Sequence, residues 1–181
     1  GPDSATKLEI DLYGGYKTEV AGVGLDLGAI SYMYPGSKNG ASGGGNYFAN
    51  TSEAYIGLAY GPVTFKTSYV LGKNYFASTG GLDASGTIYY DLTLSQELMP
   101  KLTGSVHAGY TDYKLDGQVT GGKLSYADYS LGLAYDLGSG LTAGAKYYYN
   151  DTNGGTTAWA VGNGSKPLYK SGVAVSLTKA F

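Results

Sequence analysis

Apolar and polar residues alternate with a period of two along nine segments of the chain. In residues 7–17, Leu8, Ile10, Leu12 and Tyr16 share one face, and Glu9, Asp11, Tyr13 and Gly15 share the other. Residues 23–34 set Val23, Leu25, Leu27, Ala29 and Met33 against Gly24, Asp26, Gly28, Tyr32 and Tyr34. The same alternation marks residues 53–60, 63–71, 87–95, 102–110, 126–137, 141–150 and 173–181. Successive side chains of a strand point to opposite faces, so this period predicts strands with one apolar and one polar face. No helix-sized window places apolar residues at i, i+3, i+4 and i+7.

The connections alternate as well. Residues 19–22, 61–62 and 138–140 are tight turns, and 96–101, with Pro100, is a connection of moderate length. Residues 36–50, 72–86, 112–124 and 151–168 are long, Gly-rich loops. The predicted fold is therefore all-β, an antiparallel up-and-down meander of about nine strands, in a single domain over residues 1–181. One end of the sheet is trimmed and the other decorated, as in an outer-membrane β-barrel, whose short turns are periplasmic and long loops extracellular. The last segment follows a long loop and runs toward the periplasmic end. Counting back, the first segment starts at the extracellular end. Such barrels normally have an even number of strands. The expectation is that an odd number of strands is missing before the first segment, whose upstream edge is left unpaired.

Composition sharpens this picture. The 181 residues include 31 Gly and 20 Tyr but only 4 Phe and the single Trp159, and charged residues make up 14%, well below the roughly 25% of ordinary soluble domains. A net charge of −2 without a basic stripe gives no footprint for nucleic acid. The absence of Cys excludes a disulfide framework and a thiol nucleophile. No stretch approaches the ~20 apolar residues of a spanning helix. Gly1 and Pro2 open a polar stretch, the start expected of a mature or trimmed chain. Tyr16, Tyr60, Tyr69, Tyr110, Tyr135, Tyr147 and Tyr149 fall on the apolar face near segment ends, the pattern of aromatic girdles at membrane interfaces.

The polar face supplies the candidate functional residues: Glu9, Asp11, Asp26, Tyr32, Glu53, Tyr55, Lys66, Tyr89, Asp91, His107, Asp128, Lys146 and Lys170. Facing a wet lumen, the acids Glu9, Asp11, Asp26, Glu53, Asp91 and Asp128 outweigh Lys66, Lys146 and Lys170, which predicts weak cation preference. The alternative is that the lysines pair with the acids and fill a narrow interior. His107, the only histidine, cannot build a multi-His metal site and is expected to be a polar lumen residue. Nothing in the spacing brings Asp26, Asp91 or Asp136 into general acid–base register. Gly43-Gly44-Gly45 and Gly121-Gly122-Lys123 lack phosphate-loop spacing, and the loop acids Asp83, Asp112, Asp116 and Asp151 lack an EF-hand pattern. Neither an enzyme nor a cofactor is expected.

Glu9-Ile10-Asp11-Leu12-Tyr13-Gly14-Gly15-Tyr16, with Gly24-Leu25-Asp26-Leu27-Gly28 and Tyr32-Met33-Tyr34-Pro35-Gly36, resembles the TorF-family porins, also known as the Gcw-chp outer-membrane family. Glu53-Ala54-Tyr55-Ile56-Gly57-Leu58-Ala59-Tyr60-Gly61-Pro62, Leu131-Gly132-Leu133-Ala134-Tyr135-Asp136-Leu137 and Val175-Ser176-Leu177-Thr178-Lys179-Ala180-Phe181 extend the resemblance over nearly the whole chain. It implies a bacterial outer-membrane barrel with a removed signal peptide and about three further strands upstream, hence about twelve when complete. Phe181 then resembles the terminal aromatic read by the outer-membrane assembly machinery, which together with outer-membrane lipid is the expected partner. The competing expectation is a structural protein. Low charge, abundant Tyr and Gly, and open edge strands favour pairing between copies into extracellular, amyloid-like filaments.

Overall fold

A computed structural model describes residues 8–35, 50–76, 82–118, 123–151 and 171–180. Strands β1 (Ile10–Val20), β2 (Val23–Met33), β3 (Thr51–Tyr60), β4 (Val63–Val70), β5 (Ile88–Met99), β6 (Leu102–Asp112), β7 (Tyr126–Gly138), β8 (Leu141–Asn150) and β9 (Gly172–Lys179) form one sheet. Each pairs antiparallel with its neighbours in sequence, in the order β1 to β9. There is no helix among the described residues. The sheet is not closed into a barrel: β1 and β9 are its two open edges.

The short connections are tighter than their sequence suggests. Val20 pairs with Val23 across Ala21 and Gly22, both at positive φ (51° and 80°), the geometry that matches the twist of flanking strands. The moderate connection expected at 96–101 is instead a turn at Pro100 and Lys101. Strand β5 continues to Met99 through an irregularity between Glu97 and Met99. Pro cannot donate to a ladder but suits a turn, so Pro100 terminates the strand rather than the polar Gln96 before it.

Polarity is inverted relative to a water-soluble sheet. Along β7, Tyr129, Leu131, Leu133 and Tyr135 are exposed while Ser130 is buried. Leu131 is 60% exposed, and Val106 and Leu133 are each 50% exposed, whereas Ser68 and Ser130 are 8% and 9% exposed. Direct cross-strand pairing runs Tyr60, Val63, Leu94, Val106, Leu131, Tyr147, Val173 along the apolar face. Exposed tyrosines border that face. Tyr90 lies opposite Tyr110, and Tyr129 stacks on Tyr149 with ring centroids 6.2 Å apart, both pairs toward the long-loop end. Tyr60 and Tyr135 lie toward the turn end.

The dry core sits outside the sheet, at the long-loop end. Ala84, Tyr113, Leu115 and Leu124 are buried together, with Tyr75 against them. Tyr75 contacts Tyr113 and Phe76 edge-on, and Phe76 reaches Tyr32 on β2 at 5.1 Å. Residues of the second and third loops thus fold onto the polar face near its rim. Polar side chains tie them down: Phe76 N–H donates to Thr51 Oγ1 (2.8 Å), Lys114 N–H to Thr87 Oγ1 (3.2 Å) and Tyr113 N–H to Ser125 Oγ (2.8 Å). Asp116 Oδ1 accepts from the N–H groups of Leu124 (2.5 Å) and Ser125 (2.9 Å).

Burial works to raise the Asp116 carboxyl, but the hydrogen bonds from Ser125 and the Leu124 and Ser125 amides prevail and hold it below its ordinary value. A depressed carboxyl stabilises the folded loop above the ordinary aspartate range, and that contribution is lost as pH falls through the depressed value. The Leu124 and Ser125 amides are therefore expected to lose hydrogen-exchange protection selectively on acidification. Asp116→Asn abolishes that pH dependence; an unchanged profile in the variant would show that another group controls the loop.

Candidate functional site

The antiparallel registers place one row of polar-face positions directly across the sheet. Lys17, Asp26, Gly57, Lys66, Asp91, Gly109, Asp128 and Asn150 are successive partners from β1 to β8. Charges alternate along its first half, and the two glycines leave room between charged neighbours. Lys17 Nζ bonds Asp26 Oδ2 at 3.2 Å.

His107 lies one row away, opposite Thr93 and Ser130, and draws the centre of the row together. Its Nε2 is 2.9 Å from Asp128 Oδ1, and its Nδ1 is 3.2 Å from Thr93 Oγ1 and 3.5 Å from Asp91 Oδ1. Tyr89 Oη donates to Asp128 Oδ2 at 3.2 Å, and Thr93 Oγ1 donates to Asp91 Oδ1 at 3.1 Å. An ionised carboxylate only accepts. A neutral His107 bonded to Asp128 therefore carries its proton on Nε2, and its Nδ1 competes with Asp91 for the single Thr93 hydroxyl proton. A protonated His107 donates on both sides and bridges the two acids.

Asp26, Asp91 and Asp136 do not converge on one another; the pair that does meet is Asp91 and Asp128, both of which reach His107. The pairing registers bring them together, and the chain order of β5, β6 and β7 conceals it. Asp26 and Asp136 stay apart from this cluster. The Asp128–His107–Thr93 chain has the connectivity of a hydrolytic triad. Its chemistry points elsewhere. The Asp91 carboxylate beside Thr93 opposes a developing oxyanion, and the neighbouring backbone N–H groups of β5 and β6 lie within the sheet ladder. A negatively biased polar cluster is suited to holding positive charge.

Glycines set the depth of this surface. A Cβ on Gly109 would strike Tyr89 Oη and the Asp128 carboxylate, and one on Gly28 would fall 2.5 Å from Tyr55 Oη. Both tyrosines lie flat across glycine gaps in neighbouring strands. Gly109→Ala is expected to displace Tyr89 from Asp128 and to cost about 1–3 kcal/mol, as overpacking does. Urea unfolding compared with Gly14→Ala, whose Cβ meets nothing within 4 Å, checks this; equal stabilities would refute the close approach.

The other candidate residues fall into separate groups. The alternative pairs Lys66 and Lys146 with the acids; among the described residues neither forms an ion pair, although Lys66 acts on Glu53 through its charge. Lys66 Nζ sits 4.2 Å above the Tyr55 ring, and Lys146 Nζ sits 5.8 Å from the Tyr148 ring. The tyrosine face attracts a cation without removing it from water. Glu9, Asp11 and Glu53 gather near Tyr32 and Tyr34 at the long-loop end, where Asp11 is opposite Tyr32. Burial, and then a hydrogen bond with Glu9, push the Tyr34 phenol up. Lys170 and Phe181 lie outside the described residues. Lys17 was missed, although its odd position in the first segment places it with Glu9 and Asp11. Tyr75, Phe76 and Tyr113 were also missed, because loop aromatics carry no periodic signal.

No curated protein and no solved structure matches the chain. A family profile described as a bacterial protein of unknown function matches residues 1–181. The inverted meander with its charged, tyrosine-lined polar face thus belongs to a chain that is a member of the Gcw_chp family of bacterial proteins.

Proposed function

We propose that this chain is part of a porin-like outer-membrane β-barrel of the TorF type, passing small solutes or ions by passive diffusion with weak cation preference. The inverted sheet carries the reading: on the inner strands Leu92, Leu131 and Leu133 face outward while Ser68 and Ser130 are covered. In water an apolar face of this extent is unfavourable by roughly 25 cal/mol per Å². In a bilayer it is the surface that solvates the protein. Tyrosines bordering it match interfacial girdles. On the other face, among the described residues, Glu9, Asp11, Glu53, Asp91 and Asp128 exceed Lys66 and Lys146, since Lys17 is taken up by Asp26. Reconstitution of the natural full-length protein into planar bilayers tests the proposal. The expected result is conductance with a reversal potential displaced toward cations; no conductance, or anion preference, overturns it.

A second reading rests on the open edges of β1 and β9. Unpaired strand edges template pairing with other chains, so copies of this sheet could join edge to edge into filaments. Negative-stain microscopy with and without detergent separates the two readings. Filaments that form without detergent support assembly, and monomers that need detergent support the barrel.

A further inference from the structure

A recess of about 360 Å³ opens on the polar face between the central cluster and the loop core, lined by Tyr75, Tyr89, Thr111, Tyr126, Asp128 and Asn150. We infer that it is a binding site for a small organic cation, a primary or quaternary amine, held by tyrosine rings and the Asp128 carboxylate.

The recess draws its walls from distant parts of the chain. Tyr75 comes from the loop after β4, Tyr89 from β5, Tyr126 and Asp128 from β7, and Asn150 from the end of β8. Aromatic faces carry negative charge density, and a group of them around an ammonium replaces part of its hydration shell. Asp128 adds a formal charge. Its position is fixed by His107 Nε2 and Tyr89 Oη, so the carboxylate is oriented before any ligand arrives.

The surrounding field has the same sign. Burial first, then Tyr126 and Glu53, push the Tyr75 phenol up. Asp91 stands on the far side of His107. Among the described residues the strand lysines of this face are engaged elsewhere, Lys17 on Asp26, Lys66 over Tyr55 and Lys146 over Tyr148. Among the described lining residues an anion would meet the Asp128 carboxylate and no ammonium. A neutral sugar could stack on the tyrosines, but it would not use the charge. The volume lies near the lower end for small-molecule sites, which favours a compact ligand.

This inference rests on the transport reading only for the ligand's access to the polar face. Binding and conductance are separate measurements, so either can fail alone. The test is isothermal titration of the whole protein, refolded in a polyoxyethylene detergent, with choline chloride and with its neutral isostere 3,3-dimethyl-1-butanol. Choline is expected to bind about tenfold more tightly than the isostere, a difference that corresponds to about 1.4 kcal/mol. Asp128→Asn should reduce choline affinity about fivefold or more, and Tyr126→Leu should also weaken it. Asn150→Asp, which adds a carboxylate to the rim, should strengthen it and decides the matter if Asp128→Asn does not fold. Equal binding of choline and isostere, tighter binding of glucose than of choline, or no response to Asn150→Asp would overturn the assignment.

Discussion

Leu131→Arg is expected to destabilise the protein in lipid by about 2–4 kcal/mol, the cost of a cationic side chain at the midplane of a barrel's lipid-facing surface. Leu131 occupies the middle of β7 and is 60% exposed. Its cross-strand partners are Val106 and Tyr147, so nothing nearby can neutralise the guanidinium. On a water-facing surface the same change would fall within about 0.5 kcal/mol of neutral and would improve solubility. The two environments predict effects that differ several-fold for one substitution. Reversible denaturant unfolding in phospholipid vesicles measures it, with Ser130→Arg on the opposite face as the comparison. A neutral Leu131→Arg in vesicles would remove the membrane reading at its base.

The second large effect is expected at Asp128. Asp128→Leu removes the acceptor of both His107 Nε2 and Tyr89 Oη. Hydrogen bonds to charged groups contribute about 1.5–3 kcal/mol each, and without Asp128 the Tyr89 Oη and His107 Nε2, 3.3 Å apart, are left with each other. The cluster is partly open to solvent: the side chains of His107 and Asp128 are 18% and 28% exposed. Water can therefore replace some of the loss, and a total of about 2–3 kcal/mol is the expected result. Asp91→Leu should cost less than half as much. His107 is 3.5 Å from Asp91, and the Thr93 hydroxyl, released from Asp91, turns to its Nδ1 at 3.2 Å. Urea midpoints of the two variants in micelles give the comparison. Equal losses would mean that His107 is held symmetrically by both acids.

Strand existence and facing were legible in the sequence because a period of two leaves no choice. Once Leu8, Ile10 and Leu12 share a face, Glu9 and Asp11 must share the other. Turn positions were also legible where Gly or Pro set the backbone, at Gly22, Gly61 and Gly140, all at positive φ. The end of β5 was misplaced, because Gln96 reads as a polar break while the ladder tolerates it and Pro100 stops it. The candidate site was half legible. Each member of the His107 cluster was recognisably on the polar face, but periodicity is a property of one strand. Which residues meet across strands depends on register, and register is set by the turns. A two-residue error in a turn would have moved Asp128 away from His107 entirely. The loop core was illegible for a different reason: Tyr75, Tyr113, Leu115 and Leu124 are irregularly spaced, and only the fold of the loops brings them together.

The neighbour-to-neighbour strand order has a kinetic side. Every strand pairs only with the strands before and after it in sequence, so no pairing must wait for a remote partner, and the loop-closure entropy that slows most β-proteins is spread over short spans. The sheet can grow hairpin by hairpin, each new strand zipping onto the last. Within this sheet any late, slow step would then belong to the loop core, where residues from two separate loops must meet; closing a barrel across β1 and β9 would be a further one.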